Sequence, residues 1–249
     1  MLAEAVSPDR LDRNQIQKRI EVMWNHLFPR REIPLLEYPV EEIATELQRR
    51  RLVEFVYDQE LPAPFGRQRY GEFTVSPHNK IFIHSGLDPK GARFKATLSH
   101  EIGHYVLHRK FLSKSTFISS SPKIATDEEL ARYGRRAGIS DLHWAEWQAN
   151  EFMASVLLPR TGLMYRMARI QKQLGLHVGR VYIDNQGCTQ ADSGFIFATI
   201  AMETMIQFPI VFARMNALGL VNDKRTKRAK GTLGDEVTST LQDFVRSLD

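Results

Sequence analysis

Thr97-Leu98-Ser99-His100-Glu101-Ile102-Gly103-His104-Tyr105-Val106-Leu107-His108 is the stretch from which the rest of the chain is read. It contains H-E-x-x-H as His100, Glu101 and His104. Positions i and i+4 of a helix lie one above the other, so both imidazoles can reach one metal ion. Glu101 stands between them, a turn around, where a carboxylate can take a proton from water activated by that ion. Phe94, Leu98, Ile102, Tyr105 and Val106 recur at helical spacing through the same segment, which places the motif on a helix spanning roughly 93–109. A zinc site is the expectation.

Such a site takes three protein ligands and keeps one position open. His108 continues the i+4 series, but a helix rises ~1.5 Å per residue, so His100 and His108 stand about 12 Å apart along it. Zinc–nitrogen bonds of ~2 Å cannot gather three such histidines, and His108 is read as a packing or hydrogen-bonding residue. In the longer pattern H-E-x-x-H-x-x-G-x-x-H, the glycine and third histidine would fall on Leu107 and Lys110. Glu146 is preferred as third ligand. It lies on a second apolar helix, with Asn150 one turn later on the same face, placed to orient a liganding histidine through its other ring nitrogen. Glu151 falls on a different face and is expected to be solvated. His143, one turn before Glu146, reads equally as a ligand, a transition-state donor or a surface residue.

Bulk properties set the frame. The 249 residues allow one large domain or two small ones, and 43% hydrophobic with 25% charged residues is ordinary for a soluble globular chain. The single cysteine, Cys188, excludes an internal disulfide, fits a reducing compartment and is expected to be a small buried residue. Met1-Leu2-Ala3-Glu4-Ala5 lacks the basic and apolar regions of a secretory leader, so a cytoplasmic location is expected. The net charge of +5 is a weak pointer to nucleic acid. Much of it sits in the runs 48–51 and 224–230, which read first as solvated surface. Residues 193–221 are apolar but interrupted by Glu203 and Arg214, too short between charges for a membrane span.

The remaining pattern is mixed. Helices are predicted over 14–27, where Pro29 ends the run, over 39–50, 142–158 and 160–174, and from Pro209 to a cap at Gly219. Strand-like runs occupy 52–57, 71–75 and 80–84, the last two forming a hairpin around 76–79. That sheet edge either binds an extended peptide by strand addition or only completes the core. Residues 113–127 read as an exposed loop, 127–136 as a short polar helix and 237–248 as a short terminal helix.

Three blocks together resemble the ImmA/IrrE family of metallopeptidases. The first runs from Arg93 and Phe94 through His100-Glu101-Ile102-Gly103-His104 to His108. The second is Glu146-Trp147-Gln148-Ala149-Asn150-Glu151-Phe152-Met153-Ala154-Ser155-Val156-Leu157-Leu158-Pro159, and the third ends Arg214-Met215-Asn216-Ala217-Leu218-Gly219-Leu220. The chain departs from the family pattern where Phe94 and Thr97 are not adjacent, at Met153, and in the length of the 112–142 loop. The resemblance implies an α+β fold, a mainly helical zincin-like metallopeptidase domain with a small antiparallel sheet. It covers 39–221, leaving 1–38 as a helical extension and 222–249 as a basic tail. It implies one Zn2+ held by His100, His104 and Glu146, Glu101 as catalytic base and Asn150 behind the ligands. The implied activity is cleavage of a helix-turn-helix transcriptional repressor, relieving repression of stress-response or mobile-element genes. The alternative is a non-proteolytic regulator of the same fold that binds a repressor or DNA. No helix-turn-helix unit is evident in residues 1–60, so direct DNA contact rests on charge alone. Metal identity and the oxyanion donor stay open: a two-histidine, one-carboxylate set also suits iron, and His143 and Tyr165 are the donor candidates.

Overall fold

A computed structural model describes residues 7–61, 69–75, 77–113 and 141–226. The chain forms two compact units, Met1–Leu157 and Leu158–Asp249, with the division at a point where the composition shows no break. The predicted helices at 127–136 and 237–248, the loop at 114–127 and the basic residues 227–230 lie outside the described residues.

The first unit begins with helix α1, Arg13–Leu27, closed at its N-terminus by a reciprocal cap. The Asp12 carboxylate accepts from the Gln15 backbone N–H at 2.8 Å, and the Gln15 side chain accepts from the Asp12 N–H at 2.8 Å. Ile16, Ile20, Met23, Trp24 and Leu27 form its buried face. Helix α2, Val40–Arg49, follows Pro39 and carries Glu41 and Glu42 in its first turn, where the helix dipole favours acids. At its basic end Gln48, Arg49 and Arg51 are exposed, as the solvated reading expects, and Arg50 is half-buried. Glu46 accepts from Arg49 and Arg50, and Arg50 also donates to the carbonyls of His26 and Leu27 at 3.0 and 2.7 Å, satisfying the end of α1. These bonds hold the Glu46 carboxyl down at about 2.

Strands β1 (Glu54–Gln59), β2 (Gly71–Thr74) and β3 (Lys80–His84) form a sheet of order β1-β3-β2. The β2–β3 hairpin is antiparallel as expected, but β1 pairs with β3 in parallel, so the sheet is mixed rather than antiparallel. The hairpin fixes one edge of β3, whose Ile81 and Ile83 are buried. β1 takes the other edge of β3, with Phe55 opposite Ile81 and Val56 opposite Phe82.

Helix α3, Ala92–Leu112, packs against β2, β3 and helix α4, Asp141–Leu157, and is buried over nearly every residue from Ala96 to His104. Both helix faces therefore meet protein, so burial extends beyond the apolar row read from the sequence to the polar residues of the motif. The approach of α4 depends on Gly103: a β-carbon there would stand 3.1–3.2 Å from the Phe152 ring and side chain.

The second unit contains α5 (Arg160–Gln173), β4 (Val181–Ile183), α6 (Gly187–Thr204), α7 (Phe208–Ala217) and β5 (Val221–Asp223). The predicted apolar run is thus two helices, with Pro209 in the first turn of α7 and Gly219 at φ +67° after it. Phe197 on α6 is fully buried and meets Phe208 and Phe212 edge-on. The parallel pair β4–β5 has no counterpart in the sequence pattern, because three-residue strands carry no measurable alternation. Cys188 is exposed rather than buried, since it lies in the first turn of α6 where the chain enters the helix from a surface turn. Arg225 is buried and paired with Asp223 at 2.8 Å, so this member of the second basic run is not solvated. Among the described residues no single helix is long and apolar enough to cross a membrane, and α6 and α7 meet at a bend of 112°.

Candidate metal centre

The i+4 spacing on α3 brings the two imidazoles together as read from the sequence, and α4 adds the carboxylate. His100 Nε2 and His104 Nε2 are 3.0 Å apart. Glu146 Oε2 lies 3.3 Å from His100 Nε2, and Oε1 lies 3.3 Å from His104 Nε2. Both histidines are fully buried; Glu146 is partly exposed. Among the described residues these three form the one group of histidine, cysteine, aspartate or glutamate side chains that can hold a metal ion.

Asn150 Oδ1 lies 3.0 Å from His100 Nδ1. An amide oxygen only accepts, so Nδ1 carries the proton and Nε2 faces the other donors. The bond joins His100 on α3 to Asn150 on α4. His108 is not a donor to the centre. It is buried, with Nδ1 3.1 Å from His104 Nδ1 and Nε2 2.9 Å from Gln148 Oε1. The expectation of a hydrogen-bonding role for His108 agrees with these contacts.

The donor set fits a divalent cation. At metal–ligand bonds of ~2.0–2.1 Å, tetrahedral neighbours stand about 3.3 Å apart, close to the separations here. One oxygen of Glu146 and both oxygens of Glu101 are buried and accept no hydrogen bond from the described residues. A buried carboxylate without donors is costly unless a positive charge or water satisfies it. Two imidazoles with one carboxylate is a set that zinc and several other divalent ions accept.

The charges are mutually tuned. Burial raises a carboxyl, but His104 and His100 outweigh it and hold Glu146 well below the usual carboxylate range. Burial likewise opposes the imidazolium of His100, yet Glu146 pulls that residue up. His104 goes down because burial wins there, and burial with the neighbouring His104 pushes His108 down to about 3. Glu101 is pushed up to about 8, chiefly by burial and further by Glu146 and Glu72, against the pull of His100 and Arg69.

Strand β2 lies over the catalytic candidate. A β-carbon on Gly71 would meet Glu101 Oε1 at 2.7 Å and Thr97 Cγ2 at 2.6 Å, so only glycine permits this approach. Arg69, buried and bonded to Glu72 at 2.8 Å, stands at the entry to the same strand. Sequence reasoning missed Gly71, Arg69 and Gln148. Gly71 opens a short strand and Arg69 precedes it, with no spacing relation to the motif, and Gln148 reads as an ordinary polar residue beside Glu146.

One other placement differs. Glu151 is buried rather than solvated and pairs with Arg13 at 3.1 Å, because α1 packs on that face of α4. His143 is exposed and outside the ligand group, and Tyr165 is exposed in the second unit. The chain matches no protein-family model and no curated protein.

Proposed function

We propose that the chain is a zinc-dependent endopeptidase of the cytoplasm, of the kind its blocks resemble in the ImmA/IrrE family, cleaving a helix-turn-helix transcriptional repressor. The observation that carries this reading is the Glu101 carboxylate, fully buried and without a hydrogen-bond donor among the described residues, beside the His100, His104 and Glu146 group. A purely structural metal site has no use for such a group.

His100, His104 and Glu146 would hold the ion, and when bound it supplies Lewis-acid polarisation of a peptide carbonyl and acidifies water. Glu101 is the base. One of its oxygens takes the proton of the attacking water, and the same carboxyl delivers it to the nitrogen of the leaving amine. No donor among the described residues occupies those oxygens, which leaves both to water. Burial that lifts the carboxyl towards neutrality makes it a stronger base than an exposed glutamate, and a nearby cation would draw it down again. The outer edge of β2 faces no strand among the described residues, and a substrate in extended form would add to it beside Glu101.

The test is Glu101→Gln in the zinc-loaded protein, incubated with a helix-turn-helix repressor encoded beside it. Removing a general base costs about 10²–10⁴ in rate, so cleavage should fall by that factor while zinc content stays unchanged. Cleavage that persists in the variant would overturn the role of Glu101. A repressor bound tightly but left intact by the zinc-loaded wild type would favour the non-proteolytic regulator instead.

A further inference from the structure

A buried chain of hydrogen bonds leaves the metal centre through the far ring nitrogen of His104 and ends on the N-terminal segment. His104 Nδ1 lies 3.1 Å from His108 Nδ1, and His108 Nε2 lies 2.9 Å from Gln148 Oε1. Gln148 Nε2 then donates to the Asp9 backbone carbonyl at 2.7 Å. His104, His108 and Gln148 are each at most 1% exposed, so water does not complete these bonds.

The direction of every bond follows from its far end. The Asp9 carbonyl can only accept, which turns the Gln148 amide nitrogen towards it and the amide oxygen towards His108. That oxygen can only accept, so His108 carries its proton on Nε2 and presents a bare Nδ1. A bare Nδ1 requires His104 to donate from its own Nδ1, which leaves His104 Nε2 unprotonated and facing the metal position. The logic is that of Asn150 on His100, drawn out over three groups.

We propose that His108 and Gln148 are positioning residues that fix the metal-binding tautomer of His104, with the Asp9 carbonyl as the fixed end of the relay. The proposal rests on His100, His104 and Glu146 being the metal ligands. It makes the N-terminal extension part of the centre although that segment lies outside the 39–221 region of resemblance. The anchor is held in place along α4 from both sides of Gln148. Arg10 lies 4.0 Å from Asp141 and 5.9 Å over the Trp144 ring, and Arg13 bonds Glu151 at 3.1 Å and lies 5.6 Å over the Trp147 ring.

Three full-length variants separate the relay from simple packing. His108→Phe fills the space but accepts nothing, His108→Asn keeps an amide oxygen able to accept from His104, and Gln148→Met removes only what holds the His108 tautomer. Zinc affinity is measured by competition with a chromophoric chelator. Loss of an outer contact of this kind weakens metal binding about 10–100-fold, which is expected for His108→Phe and Gln148→Met, with His108→Asn within about threefold of wild type. Nitrogen-15 NMR of histidine-labelled, metal-free protein should show the His104 proton on Nδ1 in wild type and His108→Asn, and a loss of that preference in the other two. Equal affinity in all variants, an Asn variant as weak as the Phe variant, or a wild-type His104 protonated on Nε2 alone would each overturn the proposal. If His108→Phe does not fold, Gln148→Met and His108→Asn decide it. Zinc binding by wild type no stronger than by His100→Ala would instead sink the metal reading, and the NMR result would still judge the relay.

Discussion

Gly71 carries as much of the site as the histidines do, because it lets a strand lie against the buried carboxylate. Gly71→Ala would bring a β-carbon within 2.7 Å of Glu101 Oε1 and 2.6 Å of Thr97 Cγ2. Forcing a methyl group into a packed site costs about 1–3 kcal/mol. If the proposed peptidase reading holds, the expected outcome is a large fall in cleavage with zinc affinity little changed, since none of the three donors moves; chelator competition beside a cleavage assay checks it. Tyr38 gives a second residue-scale prediction. Burial, with the Glu21 carboxylate adding, pushes its phenol up to about 12. The unfolded phenol ionises near its ordinary 10, so this contribution to stability is fully present below that pH and is lost as pH rises towards 12. The effect is on the order of 2 kcal/mol by pH 12. In Tyr38→Phe the fall in unfolding free energy between those pH values should be shallower, as measured by urea denaturation at several pH values.

At the scale of elements, α3 and α4 form the centre by presenting donors across one interface, and α1 holds α4 in place from outside. Helix α1 begins at the Asp12 cap, three residues after the carbonyl that receives Gln148. Asp12→Ala should cost about 1 kcal/mol through loss of the cap. Because the cap fixes where the N-terminal segment enters the helix, the same variant should also weaken zinc binding measurably. A stability loss with unchanged zinc affinity would show that the segment keeps its place without the cap. Arg50 illustrates how a charged run comes to hold structure together. Its guanidinium satisfies carbonyls at the end of α1, because a helix terminus needs donors, while the rest of the run stays exposed.

For the whole molecule, an ion held by His100, His104 and Glu146 would link metal binding to folding. A ligand that binds only the folded state at a hundred times its dissociation constant adds about 2.7 kcal/mol. Chelation should therefore lower the thermal unfolding midpoint of the wild-type protein, and zinc should restore it. His100→Ala, which lacks one donor, should show neither response. The response is expected in the unit that ends at Leu157, which contains all three donor residues.

The sequence by itself determined the parts of this protein that depend on local spacing. Two histidines four residues apart must share a helix face, Pro29 and Pro39 must punctuate helices, and the 71–84 stretch must turn back on itself, because these follow from backbone geometry within a few residues. Glu146 and Asn150 were legible too, since their own spacing places them on one face of one helix. Only the tertiary structure decided what crosses between elements: the parallel pairing of β1 with β3, the burial of Glu151 against Arg13, the approach of Gly71 to Glu101, and the path from His104 through Gln148 to Asp9. Glutamine and a backbone carbonyl 139 positions apart leave no pattern in the chain. Their pairing exists because α1 and α3 both pack against α4, and packing is a property of surfaces that meet rather than of residues in a row.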